Sequence, residues 1–212
     1  MTIKKRILHI DDHQIFRDSL KRLISTEEDF EVALDLGTTK NVLDLIKTSE
    51  IDFLILDINI DHVDICLFIK RIKAKYPKLP VIALSIHTDI FIIKNVLRSG
   101  ASAYVSKKSG YEELVKALDS VNTNRQFLCG ETSGLIATSI VQDQTKLHDK
   151  LTFREFHILR LLADGMTING IANSLNLSPK TVSSHKANLM TKMRFESNAE
   201  LVKYYIKNIR HN

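Results

Sequence analysis

The first 124 residues alternate between short apolar runs and longer segments with helical spacing. The runs are rich in branched side chains, which is typical of strands buried on both faces. In the segments between them, apolar residues recur three or four positions apart, as on one face of a helix. The pattern therefore predicts five β-then-α units, an α/β fold with a five-stranded, doubly wound parallel sheet. The predicted strands are 6–10, 32–36, 53–57, 80–85 and 103–106.

The alternation stops after residue 124, and from residue 151 the spacing is helical to the end. Thr152 followed by Glu155 forms a capping box, and Ser178-Pro179 places an N-cap before a proline at the first helical position. A short helix, a turn and a second capped helix predict a small all-α helix-turn-helix domain. We interpret 1–124 and 150–212 as two domains. Between them, 125–149 is predicted to hold a short helix, over 135–141, and a linker.

Composition narrows the class of protein. Of the 212 residues, 44% are hydrophobic and 26% are charged, while glycine (7) and proline (3) are scarce, which excludes collagen-like and disordered chains. No apolar stretch approaches the roughly 18 residues that a membrane span needs, and the N-terminus lacks the apolar region of a signal peptide. Cys66 and Cys129 form no C-x-x-C pair. We expect a cytoplasmic protein without a membrane partner.

The net charge of +5 is confined to one part of the chain. Residues 149–212 hold ten basic and five acidic side chains, whereas residues 1–148 hold twenty of each. This asymmetry indicates a neutral module joined to one that binds a polyanion.

Acidic and basic side chains follow several of the predicted strands. Asp11 and Asp12 come after the first strand, and Asp57 ends the third. These strand ends are neighbours at the switch point of a doubly wound sheet, so three carboxylates converge and need a cation such as Mg²⁺. Lys107 and Ser85 follow or end strands at the same edge. Together these groups could accept a phosphoryl group, with Asp57 as the nucleophile.

Along the chain these residues come in the order Asp11-Asp12, Asp57, Ser85, Tyr104 and Lys107. Both this order and the segment 100–107 resemble the CheY-like receiver domain of two-component response regulators. The resemblance covers residues 4–124. It implies Asp57 as the phosphoacceptor, Ser85 and Tyr104 as a switch pair, and a cognate sensor histidine kinase as partner. Such a domain is not an enzyme beyond its own phosphorylation and dephosphorylation. The Mg²⁺ ligands that the resemblance implies are Asp11, Asp12, Asp57 and the carbonyl of Asn59.

The loop after Asp57 departs from that family, because it lacks the usual Met-Pro and the following glycine and adds Asp61 and Asp64. An atypical receiver, which leaves DNA binding independent of phosphorylation, is therefore an alternative. A phosphohydrolase with Asp57 as nucleophile is a third hypothesis. Hydrolases of the haloacid-dehalogenase type require a second aspartate two residues later, and this chain has Asn59 there.

The outer face of the helix that begins at Ser178 carries small polar side chains, which can approach base edges in a major groove. Lys186 and Lys192 lie at its flanks, where phosphates would run. A longer motif begins with Leu151-Thr152-x-Arg154-Glu155 and ends at Leu189. This motif closely resembles the LuxR-type DNA-binding domain. The DNA contacts that the resemblance implies are Lys180, Thr181, Val182, Ser183, Ser184, Lys186, Ala187 and Asn188.

Taken together, the two resemblances make the chain similar to a NarL/FixJ-type response regulator. They imply a transcription regulator in which phosphorylation of Asp57 with Mg²⁺ controls dimerisation or the exposure of 178–194. In that family the last helix, here from Ser197, serves dimerisation, which suits a two-fold symmetric site on double-stranded DNA.

Overall fold

A computed structural model describes residues 4–60, 63–86, 89–130, 132–134, 136 and 147–210 of the chain. The chain divides into two compact units, residues 1–141 and 142–212, and each is described by itself. None of the helices among the described residues combines the length and the apolar character of a membrane span.

The first unit is built on a parallel sheet with the strand order β2-β1-β3-β4-β5-β6. β1 pairs with both β2 and β3, so the chain reverses its direction of travel across the sheet beside β1. This reversal is the switch point that the α/β pattern predicted. The strands are β1 (Lys5–Ile10), β2 (Phe30–Leu36), β3 (Phe53–Asp57), β4 (Val81–Ser85), β5 (Ala103–Ser106) and β6 (Phe127–Leu128).

Helices cover both faces of the sheet, which explains the continuous apolar runs of the strands. One face forms a core with α1 and α5, in which strand residues such as Ile55 and Ile82 pack with Leu20 and Leu118. Alternate strand residues such as Leu54 are buried as well, on the opposite face. The helices are α1 (Gln14–Ile24), α2 (Val42–Thr48), α3 (Ile65–Lys75), α4 (Ile90–Arg98) and α5 (Tyr111–Asn122).

Within the described residues the sheet has six strands, one more than the five that the sequence predicts. The sixth pairs with Ala103 and Tyr104 at the edge beside β5. Two residues are too few to produce an alternating or continuous apolar pattern, so the sequence carried no signal for it. β6 lies within 125–149, which the sequence assigned to a helix and linker. The helix predicted over 135–141 falls outside the described residues except for Ile136, and the domain boundaries at 124 and 150 stay predictions.

The second unit is helical. A 3₁₀ turn at Leu147–Lys150 precedes α6 (Phe153–Ala163), α7 (Ile168–Ser174), α8 (Pro179–Met193) and α9 (Asn198–Tyr205), and a π-helical turn, Ile206–Arg210, follows α9. α8 packs on both α6 and α7, and α9 packs on α6. Their shared core consists of apolar side chains: Leu151, Phe156, Ile158, Leu159, Ile171, Ala172, Leu175, Val182, Leu189, Met193, Leu201 and Tyr205.

Candidate functional site

Two aspartates meet at the carboxyl edge of the sheet. The pairing of Ile10 with Leu56 aligns β1 with β3, so Asp11, which follows β1, comes beside Asp57, which ends β3. Both carboxylates are fully buried. The Nζ atom of Lys107 lies 2.6 Å from Asp11 Oδ2 and 2.8 Å from Asp57 Oδ2. One ammonium group therefore bridges two buried carboxylates that would otherwise repel each other.

Lys107 is held in place from several sides. Its backbone N–H donates to the carbonyl of Ser85 at 2.7 Å, which fixes the start of the loop after β5. Its ammonium lies 4.4 Å from the centroid of the Phe16 ring, a cation–π contact. Only 11% of the side chain is exposed, so its charge interacts strongly with the two carboxylates.

Asp57 accepts hydrogen bonds at both carboxylate oxygens. Oδ1 accepts from the backbone N–H of Asn59 at 3.0 Å, and Oδ2 accepts from Lys107. Burial nevertheless raises the pKa of Asp57, although both hydrogen bonds oppose the increase. Asp57 is thus a buried carboxylate whose negative charge is only partly compensated by its two donors.

Asp11, Asp12, His13 and Asp57 can each bring one ligand atom within 4.8 Å of the others. Three of these atoms are carboxylate oxygens, the donor type that Mg²⁺ prefers, so the residues present fit such an ion. Asp12 is partly exposed, with 28% of its side chain accessible. Asn59 contributes its backbone N–H to Asp57, while a ligand role for its carbonyl stays a prediction.

Ser85 and Tyr104, the predicted switch pair, are both fully buried and lie on the neighbouring strands β4 and β5. Ser85 ends β4, and its hydroxyl lies near the phenol of Tyr104. Burial raises the pKa of Tyr104, and the nearby Ser85 hydroxyl opposes part of that increase. The aromatic ring therefore lies inward, in contact with the hydroxyl that is predicted to meet a phosphoryl group.

The second candidate surface is the outer face of α8. Ser178 caps the helix by accepting from the N–H of Thr181 at 3.0 Å. Two hydroxyls on this face donate to carbonyls of the preceding turn, Ser184 to Lys180 and Thr191 to Ala187, both at 3.0 Å. Thr181 and Lys186 are half-buried, and the exposed side chains of the face are Lys180, Ser183, Ser184, Ala187, Asn188 and Thr191.

One predicted DNA contact does not lie on that surface. Val182 is fully buried in the core with Leu189 and Met193, on the opposite side of α8. Residues 182 and 189 are seven apart and therefore share one helix face. Its assignment as a groove-contacting residue was wrong, because the family motif includes this position as part of a continuous string while the helix turns it inward.

Comparisons with known proteins find relatives of both parts of the chain. Residues 7–119 match the family model for the response regulator receiver domain, and residues 149–205 match that for bacterial regulatory proteins of the LuxR family. Transcriptional regulatory protein DegU of Brevibacillus brevis is 30% identical over 223 residues, covering 97% of this chain and 94% of that protein. Fimbriae Z protein of Salmonella typhimurium is 30% identical over 198 residues, covering 93% and 94%.

A solved structure of RcsB from Salmonella enterica serovar Typhimurium, bound to promoter rprA in the presence of phosphomimetic BeF3⁻, matches with a TM-score of 0.69. It is 25% identical, and the match covers 95% of this chain and 98% of that one. The chain is a response regulator of the NarL/FixJ type. It is a two-component transcription regulator with an N-terminal receiver and a C-terminal LuxR-type DNA-binding domain.

In this response regulator, Lys192 differs from the other cations of α8. Its Nζ atom lies 2.7 Å from Oε2 of Glu155, the same oxygen that accepts from the N–H of Thr152 in the capping box. Burial opposes ionisation of Glu155, but the hydrogen bonds from Lys192 and Thr152 lower its pKa. The charge of Lys192, predicted to face phosphates, is thus used within the domain to connect the end of α8 to the start of α6.

Three residues near Asp11 were not predicted from the sequence. Arg17 donates from Nη1 to the carbonyl of Asp11 at 2.7 Å, and His13 donates its N–H to Asp11 Oδ1 at 2.9 Å. His9 is fully buried two residues before Asp11. An aspartate pair followed by a histidine was visible at 11–13, but only the fold shows that α1 returns over the strand end and brings Arg17 to it.

The loop after Asp57 is described only in part, since Asp61 lies outside the described residues. Asp64 caps α3 by accepting from the N–H of Leu67 at 3.0 Å. This carboxylate therefore serves the helix start, which gives one of the two unusual acidic residues of the loop a local structural role.

Proposed function

We propose that this response regulator is switched by Mg²⁺-dependent phosphorylation of Asp57 and then binds two-fold symmetric double-stranded DNA as a homodimer. The observation that carries the proposal is Lys107, whose ammonium lies within 2.8 Å of both Asp11 and Asp57. A fixed cation beside a buried carboxylate is what an acceptor of a phosphoryl group requires, since charge develops on the phosphoryl oxygens.

In the proposed reaction, a carboxylate oxygen of Asp57 attacks the phosphorus atom of a phosphorylated histidine on the sensor kinase. The bond from phosphorus to the histidine nitrogen breaks, the nitrogen keeps the electron pair, and an aspartyl phosphate forms. Lys107 stabilises the phosphoryl oxygens by donating hydrogen bonds. Asp11 and Asp12, with Asp57 and the carbonyl of Asn59, would hold Mg²⁺, which supplies further positive charge to those oxygens when bound.

The output would run through Ser85 and Tyr104. A phosphoryl group on Asp57 offers new acceptors to the Ser85 hydroxyl, which would draw this hydroxyl away from its neighbour Tyr104. A change of partner there would shift a pre-existing equilibrium between receiver conformations, and so promote dimerisation or expose 178–194. The protein would act in the cytoplasm, and it would not be an enzyme beyond its own phosphorylation and dephosphorylation.

The direct test uses the purified full chain with acetyl phosphate, with and without Mg²⁺, on a phosphate-affinity gel. We expect a Mg²⁺-dependent shifted band that is absent in Asp57→Asn. Asp64→Asn is the matched control, because it makes the same substitution at an N-cap, where asparagine serves as well as aspartate. No band from folded wild-type protein would contradict the phosphoswitch. It would favour the atypical receiver, whose DNA binding is independent of Asp57.

A further inference from the structure

His9 is a polar residue of the receiver that the proposed chemistry leaves unused. It lies in β1, its side chain is fully buried, and within the described part of the chain neither ring nitrogen has a hydrogen-bond partner. Its Nε2 atom lies 4.0 Å from Asp11 Oδ2, too far for a hydrogen bond. A buried polar group without a partner destabilises a fold, so this histidine needs an explanation.

The explanation lies in the partners of Asp11. Its Oδ1 accepts from the N–H of His13, and its Oδ2 accepts from Lys107. The same ammonium also contacts Asp57. In the aspartyl phosphate, the negative charge of Asp57 would lie on the phosphoryl oxygens, so Lys107 would be drawn towards them. Asp11 Oδ2 would then be without its donor in a buried place.

We propose that His9 is a positioning residue that donates its Nε2–H to Asp11 Oδ2 once Lys107 has moved to the phosphoryl group. This inference rests on the proposed phosphorylation of Asp57. A shift of about 1 Å brings the two atoms to hydrogen-bond distance. Asp11 would thereby keep its orientation as a metal ligand in the phosphorylated state, as a hydrogen-bonded outer partner does for ligating carboxylates.

The surroundings of His9 support this role. Its ring packs against Phe16 in an edge-to-face arrangement, with centroids 6.0 Å apart, which limits the orientations of the imidazole. Phe16 also contacts the ammonium of Lys107, so the same ring borders both donors. The role is open to the charged imidazole and to the neutral one that is protonated at Nε2, since both carry the Nε2–H.

The proposal separates two states that can be measured. Without a phosphoryl group, Lys107 holds Asp11, so His9 should contribute little to Mg²⁺ binding. With a phosphoryl analogue on Asp57, His9 should replace Lys107, so its removal should weaken Mg²⁺ binding. A residue that only fills space would affect both states equally, or neither.

The experiment is isothermal titration of the full chain with Mg²⁺, with and without beryllium fluoride; calorimetry suits a chain without tryptophan. His9→Leu removes the donor, and His9→Gln keeps an N–H donor on a side chain of similar reach. With beryllium fluoride, we expect His9→Leu to bind Mg²⁺ about tenfold more weakly than wild type and His9→Gln to remain within about threefold. Without it, all three proteins should agree within about twofold.

The thermal midpoint of each variant is measured in parallel, and His9→Met replaces His9→Leu if the latter does not fold. Equal Mg²⁺ affinities in all proteins, or an equal weakening with and without beryllium fluoride, would overturn the role of His9 while leaving the phosphoswitch intact. If beryllium fluoride does not strengthen Mg²⁺ binding even in the wild-type protein, the proposed function fails and the inference fails with it.

Discussion

The receiver site and the outer face of α8 are built in opposite ways. In the receiver, Asp11 and Asp57 are fully buried, and one ammonium from Lys107 serves both. On α8, the side chains predicted to contact DNA are mostly exposed, while the buried stripe that includes Val182 and Leu189 anchors the helix. The first site depends on mutual contacts, whereas the second depends on where a rigid helix presents independent groups.

This difference determines how substitutions should act. Groups in contact inside a low-dielectric site are coupled, so the removal of one changes the others and effects do not add. Exposed groups along a helix share few partners, so their contributions to binding should be nearly additive and sensitive to salt. The contrast is therefore open to measurement, and the largest expected effect is on DNA affinity.

DNA binding should weaken steeply with salt. A dimer that neutralises six to ten phosphates should lose roughly 10³–10⁵ in affinity between 50 and 200 mM salt, because bound counterions are released from DNA. The measurement is a DNA-binding titration with the full chain at several potassium chloride concentrations. If the logarithm of the affinity, plotted against the logarithm of the salt concentration, has a slope near zero, phosphate contact by the basic domain is contradicted.

Single lysines should account for that slope additively. Lys180→Ala and Lys186→Ala should each make it shallower by about 0.9 for every phosphate that is no longer neutralised, and the double variant should show their sum. Lys47→Ala, an exposed lysine in α2 of the receiver, is the matched control and should leave the slope unchanged. Strong non-additivity would show that the face of α8 is coupled like the receiver site.

Lys107→Met should destabilise the receiver by about 3–5 kcal/mol at pH 7 in metal-free buffer, because removing one partner of a buried charge pair leaves the other charges uncompensated. Burial already raises the pKa of Asp57. A carboxyl group whose pKa is higher in the folded state stabilises the fold when protonated. The loss of stability caused by Lys107→Met should therefore shrink as the pH falls towards 4. The measurement is urea unfolding across that pH range.

Two controls isolate the charge. Lys108→Met makes the same change at an exposed neighbour and should leave stability almost unaltered. Lys107→Met combined with Asp57→Asn should recover much of the stability, since one of the two unpaired carboxylates is gone. A double variant as unstable as Lys107→Met alone would contradict electrostatic coupling between these residues.

Much of the receiver follows from the sequence because its strands are short, continuous apolar runs with polar residues at their ends. Asp57 and Ser85 end their strands as predicted, and Asp11 follows β1. β6 could not be predicted, since a two-residue strand at a sheet edge has no period. The contacts of Arg17 and His9 depend on how α1 returns over the sheet, which spacing alone does not reveal.

The helix-turn-helix domain could also be predicted only in part. Its caps were readable, because Thr152 with Glu155 and Ser178 with Pro179 are local signals, and the structure contains both caps. The side of α8 on which each residue lies also follows from helical periodicity, because Val182 and the buried Leu189 are seven residues apart and share one face. The motif string placed it in the groove, and periodicity was the better guide. The ion pair of Lys192 with Glu155 joins residues 37 apart and had no sequence signal.

Val182 and its neighbour Ser183 should separate stability from DNA binding. Val182→Ala should reduce the free energy of unfolding by about 2 kcal/mol, because it removes buried methyl groups from the small core. Ser183→Ala should leave unfolding almost unchanged and weaken DNA binding alone. Denaturant unfolding and DNA titration of both variants test this, and a Val182→Ala protein of wild-type stability would contradict the inward position.

The smallest effect concerns the start of α8. Ser178→Ala removes the hydroxyl that accepts from the N–H of Thr181, and it should cost about 1 kcal/mol of stability. Ser184→Ala makes the same chemical change within the helix, where the hydroxyl only donates to the carbonyl of Lys180, so it should not lower stability.

Thermal unfolding and DNA titration of these two variants sharpen the comparison between the receiver site and the face of α8. If α8 is a rigid support for independent contacts, Ser178→Ala should weaken DNA binding by no more than its effect on folding, whereas Ser184→Ala should weaken binding without any effect on folding. An equal reduction of stability in both variants would mean that the exposed hydroxyls also hold the helix, and the two surfaces of this regulator would then be less different than their burial indicates.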